Sequence, residues 1–485
     1  MQKVKRFTFG LRRRGIYAFS VIFPGVITLL GYIMKHVEEY DNSLVGIDVM
    51  PDHPQPEISS LASGAIKKAR MRLMPLILMM YLLAFIDRSN IGMAALTMNQ
   101  SLGLTPEHFG FAVGIFSFGY ILFEIPSNVL LERYGARFWL ARIMITWGVI
   151  SMAMAFAQGV VSLSILRFLL GVAEAGLAPG IVFYLTTWFP KKELARVFSI
   201  YYLGVPLAAI IANPLSGYIL DNFHDVGGLE SWQWLFLIEG CPPVILSVIV
   251  FLYLTDKPAK ASWLKPEERQ AYQELMEKEQ QATLAVGHSG LKAMFKDRRV
   301  WILGLAYFFT VIGLTGLGFW MPQFIKRFDY SDTVVGLLGT IPYIVGAVVM
   351  CWWSNHSDKT NERTWHFILP SLLFSVGFVV AAISDSPVIS MLGLTLSTVG
   401  MLACVPTFYT LPASFLTSQG SAGGLALINS IGNVGGFFGP FLVGLTISLT
   451  GKSQNGLYLL SILVLFSPLL IYLLSKSRRQ VAGWR

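Results

Sequence analysis

The sequence predicts an all-α membrane protein of twelve spanning helices, arranged as two pseudo-symmetric halves of six. Hydrophobic residues make up 54% of the chain and charged residues only 13%, more apolar surface than a soluble core can use. Apolar runs long enough to cross a bilayer, about 20 residues each, recur along the chain. They are continuous and rich in Leu, Ile, Val, Phe and Gly, so helices rather than alternating barrel strands must satisfy the backbone in lipid. One loop pattern also occurs twice between such runs, at Asn128, Glu132, Arg133, Gly135 and Arg137 and, 226 positions later, at Ser354, Asp358, Lys359, Asn361 and Arg363. A small residue, an acid, a base, a turn former and a base at fixed spacing in matching loops divide the chain into two related halves.

The elements follow in order. Residues 1–33 combine a basic start, Lys3 to Arg14, with an apolar stretch and no small-residue cleavage site, and are read as an artefactual upstream start or a dispensable extension. With them, residues 1–72 form an N-terminal extension and tail. Spans are placed at 73–97, 109–131, 138–158, 161–186, 197–220 and 235–254, making a first half over 73–254. A connector, 255–300, holds a polar helix opened by Pro266, Glu267 and Glu268 and closed before Gly287, the expected order of Pro and acids at a helix start. Spans at 301–325, 334–353, 366–384, 388–411, 422–448 and 457–475 make the second half, 301–475, and 476–485 is a tail.

Alternate loops carry the basic residues: Lys67 to Arg72, Arg133 and Arg137, Lys191 to Arg196, the connector, Lys359 and Arg363, and Lys476 to Arg479. Positive loops stay inside, which places both termini and the connector in the cytoplasm. The formal charge of +9 thus sits at membrane ends facing lipid headgroups, not in a nucleic-acid groove. Cys241, Cys351 and Cys404 are solitary within spans, which offers neither a disulfide framework nor a metal site. The seven His lie in loops or at span edges and are uninformative.

The charges inside the spans carry the chemistry, and all fall in the first half: Asp87 and Arg88 on the first span and Arg167 and Glu174 on the fourth lie near mid-depth, while Glu124, Arg142 and Glu239 lie closer to span ends. A charge at bilayer depth costs at least about 2.5–3.5 kcal/mol, so the first four should face a polar cavity. Arg167 and Glu174, seven apart, share a helical face about 10.5 Å long. Asp87 and Arg88 are adjacent, point about 100° apart and need not pair. The Arg fork suits a carboxylate and stays charged, so the site is read as anion-selective. Asp87 and Glu174, carboxyls in a desolvated cavity, are read as proton carriers. Glu124 and Glu239 are read as structural, and Arg142 as reaching the interface along its aliphatic stem. Tyr120, Tyr202, Trp320 and Asn429 are added as neutral ligand contacts at similar depth. No HExxH, GxSxG or phosphate-cradling sequence is present, which argues against a membrane enzyme or an ATP-driven pump; transport would draw on an ion or substrate gradient.

Residues 64–478 resemble the major facilitator superfamily, whose loop signature recurs in both halves as it does here. The first glycine of that signature is replaced by Asn128 and Ser354, and its acid is Glu132 in the first copy. Within it, the stretches Phe85 to Gly92, Ile125 to Asn128, Gly171 to Gly180, Trp188 to Pro190 and Trp232 to Gly240 are similar to the anion:cation symporter family, with its bacterial branch for tartrate, phthalate, hydroxyphenylacetate and sugar acids. That resemblance implies the major facilitator fold and proton symport of a small organic anion by alternating access. Asp87 and Glu174 would serve proton coupling, and Arg88, Arg167, Tyr120 and Asn429 the substrate. Asn128, Glu132, Arg133, Gly135, Arg137, Asp358, Lys359 and Arg363 would form the gating motif. It further implies a monomer in a bacterial cytoplasmic membrane, partnered by substrate, protons and lipid, with no cofactor or metal. An organic-anion antiporter or exporter stays open as the alternative, and a transporter-like sensor as a remoter one.

Overall fold

The computed structural model describes residues 59–284, 295–415 and 421–482; the expectations for 1–33 and for Gly287 lie outside them. Among the described residues, twelve helices are long and apolar enough to cross a membrane: Ser60–Ser101, Pro106–Tyr134, Ala136–Phe156, Val160–Trp188, Lys191–Asn222 and Ser231–Tyr253, then Arg298–Lys326, Asp332–Thr360, Thr364–Ile383, Pro387–Pro412, Leu427–Thr450 and Ser453–Lys476. The connector contributes the polar helix Pro266–Leu284.

The first helix begins well before the expected span, at Ser60, with the Ser59 hydroxyl accepting from the Ala62 N–H at 3.2 Å. Its basic stretch continues as helix because it has partners there. Arg70 Nη1 lies 2.9 Å from Glu193 Oε2, and Lys68 Nζ lies 2.6 Å from Glu268 Oε1 on the connector helix. The Arg70 pair is the more buried of the two, so it contributes more to the docking.

The repeat seen in the loops extends to the contact between the halves. The second helix packs on the eleventh, and the eighth on the fifth, by the same device. A Cβ at Gly110 would fall on the Pro440 carbonyl and one at Gly336 on the Asn213 carbonyl; likewise Gly444 lies against the Pro106 carbonyl and Gly217 against that of Asp332. Gly110 and Gly336 are 226 apart, as are Pro106 and Asp332, and Pro214 and Pro440. Hydrogen bonds repeat as well: Glu107 N donates to Ser448 Oγ at 3.0 Å, and Thr333 N donates to Asp221 Oδ2 at 2.8 Å. The second of these places a carboxylate on a helix N-terminus, where the dipole favours it. All these contacts lie at the end of the bundle opposite Gly135 and Asn361, so that end is closed.

Gly110→Val should therefore push the second and eleventh helices apart. Overpacking of this kind costs about 1–3 kcal/mol, enough to lower disulfide crosslinking between Glu107→Cys and Ser448→Cys roughly tenfold relative to the same pair on the Gly110 background. Undiminished crosslinking would show that the two helices need no glycine there.

Candidate functional site

Two kinks shape the first half around its charges. The fourth span runs as Val160–Glu174, breaks at Ala175 and resumes as Leu177–Trp188 after Gly176, whose φ of 87° suits glycine. Pro179 contributes to the break, since it has no N–H for the Ala175 carbonyl. The fifth span breaks between Lys191–Tyr202 and Gly204–Asn222. Pro206 cannot return a hydrogen bond to Tyr202. Both breaks fall next to site residues, Glu174 and Tyr202.

The charged side chains of the first and fourth helices meet in the core. Arg88 Nη2 and Nε converge on Glu174 Oε1 at 2.6 and 2.7 Å, leaving Glu174 Oε2 without a partner. Glu174 is fully buried, while 27% of the Arg88 side chain is exposed. The Arg88 guanidinium also lies over the rings of Phe85, Phe116 and Tyr120, 5.2–5.5 Å from their centroids. Arg167 stands 5.0 Å from the Phe116 centroid, fully buried, and none of its three guanidinium nitrogens meets an acceptor. Phe116 thus separates two guanidinium groups, and cation–π attraction to its ring partly offsets their mutual repulsion.

Asp87 turns away from Arg88, accepting from the Ser151 hydroxyl and from Asn90 Nδ2, the latter at 3.4 Å. Two acids differ from their sequence-based reading. Glu239 stands inside the sixth helix, 3% exposed, with the Ser216 hydroxyl donating to it at 2.6 Å, and it faces the Asp87 and Asn90 side chains. Glu124 lies within electrostatic reach of Arg88, Tyr120 and Tyr409. Both belong to the polar centre rather than to helix ends, because the helices carrying them extend past the spans expected from hydropathy.

Aromatic hydroxyls carry the site across to the second half. Tyr202 is 39% exposed, and its ring lies 6.3 Å from that of Tyr409, 37% exposed, on the tenth helix. The Tyr409 hydroxyl hydrogen-bonds that of Tyr307 at 2.6 Å. Tyr81, buried, meets the Tyr201 ring at a tilt of 31° with centroids 3.9 Å apart, and Tyr81 and Tyr307 are again 226 apart. Tyr120 is buried beside Arg88, and Asn429 is half-buried on the eleventh helix. Trp320 is not brought to this cluster. It is 1% exposed, meets Phe109 edge-on and donates to the Pro440 carbonyl at 3.1 Å. The close approach at Gly444 draws it into the closed end instead.

The Major Facilitator Superfamily sequence profile matches residues 77–440, about three quarters of the chain. The chain belongs to the major facilitator superfamily. A protein of Agrobacterium vitis named as a tartrate transporter is 45% identical over 86% of this chain and 93% of its own length. A protein of Acinetobacter baumannii named as a quinolone resistance transporter is 39% identical over 86% of this chain and 96% of its own. A solved bacterial homologue of the lysosomal transporter Spinster, inward-facing and unoccupied, superposes with a TM-score of 0.69 at 17% identity, covering 86% of this chain and 98% of that one. The protein is a multi-pass membrane transporter, not an enzyme.

The two superfamily signature loops are built differently in this transporter. In the second, Arg363 Nη1 pairs with Asp358 Oδ1 at 2.6 Å, and Asn361 takes the left-handed conformation, φ 49° and ψ 27°, whereas Gly135 in the first combines φ 87° with an extended ψ of 150°. Lys359, Glu132 and Arg133 are exposed. Asn128 donates back to the Glu124 carbonyl at 2.9 Å, within its own helix. The first loop is held from outside the repeat: Asp256, just after the sixth helix, accepts from the Arg137 N–H at 2.9 Å, and Arg137 Nε donates to the Phe251 carbonyl. Asp256→Ala should lower the thermal midpoint by removing this cap, worth about 1–2 kcal/mol. An unchanged midpoint would assign the loop's anchoring to Arg137 alone. His356 and His366, unremarkable in sequence, hydrogen-bond each other at 2.8 Å across the second loop, with Glu362 Oε2 2.8 Å from the other His366 ring nitrogen. Burial pushes the Glu362 carboxyl up, but the Trp365 and His366 N–H groups and the His366 ring more than offset it and hold the carboxyl below its usual range.

Phe116, Tyr307 and Tyr409 are members of this cluster that sequence reasoning passed over, while Glu124 and Glu239 were read there as structural. The 226-residue offset from Tyr81 could have singled out Tyr307. Nothing local distinguishes Phe116 from the other phenylalanines.

Proposed function

We propose that this transporter imports a small organic carboxylate together with protons across a bacterial cytoplasmic membrane, as a monomer without cofactor. One observation carries the reading: a solvent-reachable Arg88 tied to a buried Glu174, beside a buried Arg167 whose donors meet no acceptor. While Glu174 is ionised it holds the Arg88 fork. A proton on Glu174 removes the charge that competes with substrate, and Arg88 can then give its parallel donors to a substrate carboxylate. Arg167 keeps the site positive through the exchange, with Tyr120, Tyr202 and Asn429 as neutral contacts and Asp87 as a second proton carrier. Loops rich in Lys and Arg would face the cytoplasm, so the closed end is external and this conformation opens inward. The halves, 73–254 and 301–475, would rock about the site, with the connector 255–300 and both tails inside and the signature loops as the inner gate. The tartrate-named relative supports a small hydroxy acid as cargo.

A second reading, export or exchange of organic anions, is favoured by the relative named for quinolone resistance. Uptake of a labelled organic-acid panel into proteoliposomes under an inward proton gradient separates the two. Accumulation of one acid that collapses with an ionophore supports the first reading; movement only against a counter-anion supports the second.

A further inference from the structure

We propose that Glu239 binds a transported proton jointly with Asp87, forming an acid pair separate from the Arg88–Glu174 switch; this rests on the proton-coupled reading above. Glu239 lies within Ser231–Tyr253 and is 3% exposed, and Asp87 is fully buried. Asn90, one turn beyond Asp87, lies between them. Its Nδ2 is 3.4 Å from Asp87 Oδ1, and Ser151, which donates to Asp87, packs against Gly240, the residue next to Glu239. Ser151 donates to Asp87 Oδ1 and Ser216 to Glu239 Oε1, so one oxygen of each carboxyl has a hydroxyl donor. The other oxygens, Asp87 Oδ2 and Glu239 Oε2, have none, and neither does Asn90 Oδ1.

The groups around Glu239 are accounted for helix by helix among the described residues. The first helix presents Asp87 and Asn90, the fifth presents Ser216, and the third packs Ser151 and Met152 against the adjacent Gly240. Asp87 is the charged member of this set, and its charge has the same sign. Arg167 and Glu174 also act on Asp87 electrostatically, with opposite signs.

Two carboxylates sharing a dry site around one neutral amide cannot both ionise cheaply without a cation between them. A single proton resolves the arrangement. Added to Glu239 Oε2, it converts an unpartnered acceptor into an O–H donor, and it changes the charge of the pair from −2 to −1. The Arg88–Glu174 contact is left intact, so this proton and the one that frees Arg88 are bound separately.

The test uses the full-length transporter purified into lipid, with infrared difference spectra recorded across a pH titration. Of the protonated-carboxyl stretches of wild type, one should persist in Glu174→Gln and be lost from Glu239→Gln; in Glu239→Asp, which keeps the acid should the Gln variant misfold, that band should shift. In proteoliposomes given labelled tartrate, Glu239→Gln should lose about tenfold in accumulation per pH unit, one proton's worth of driving force, and lose less in exchange. Coincident wild-type and Glu239→Gln spectra would overturn the assignment. The spectra need no transport, so a wild type that moves acids independently of the proton gradient overturns the coupling reading by a separate result.

Discussion

Arg88→Lys is expected to raise the half-saturating substrate concentration for exchange roughly 10- to 100-fold while keeping the positive charge. Charge-assisted hydrogen bonds contribute about 1.5–3 kcal/mol each, and about 1.4 kcal/mol is a factor of ten. Arg88 is committed in two directions at once: its fork meets Glu174 Oε1 through two nitrogens, and its plane lies over Phe85, Phe116 and Tyr120. A lysine ammonium is a compact point charge without the planar fork or the stacking face. It can hold Glu174 or approach a carboxylate, but it cannot present parallel donors to both in turn. Counterflow of labelled substrate in proteoliposomes measures the effect without involving the proton gradient. An unchanged half-saturation value would remove Arg88 from the substrate site and leave its pair with Glu174 as a packing contact.

Glu174→Gln should remove one proton's share of gradient-driven accumulation while reducing exchange far less. In the coupled transporter each proton contributes about 1.4 kcal/mol per pH unit, a tenfold concentration ratio. Gln still accepts a hydrogen bond from Arg88 but has no charge with which to hold it, so the fork is released whether or not a proton is present. Under a one-unit inward gradient, the contribution of this proton should fall from about tenfold to about one. Equal loss of accumulation and exchange would make Glu174 a structural partner of Arg88, which alternates nothing.

Much of this architecture was legible in the chain itself. Span number follows from apolar length, because the bilayer imposes a minimum that no packing detail alters. The 226-residue repeat, first read from two loops, also relates Gly110 to Gly336 and Tyr81 to Tyr307, so the interface between the halves was written in the same register. Span ends were less legible. Hydropathy stops the first span at Lys67 to Arg72, whereas Glu193 and Glu268 extend the helix by pairing with that basic stretch from positions remote in sequence.

What the sequence determined by itself is therefore the membrane class, the twofold plan and the confinement of charge at mid-span depth to the first half, since each depends on composition and period along the chain. What only the tertiary structure decided is which charges meet. Asp87 joins Asn90, Ser151 and Glu239, Arg88 joins Glu174, and Trp320 leaves the site for the closed end. Those choices depend on kinks at Gly176 and near Pro206 and on glycine contacts between helices. The direction of a side chain about a helix axis is set by what packs against it, and hydropathy contains no information about that neighbour.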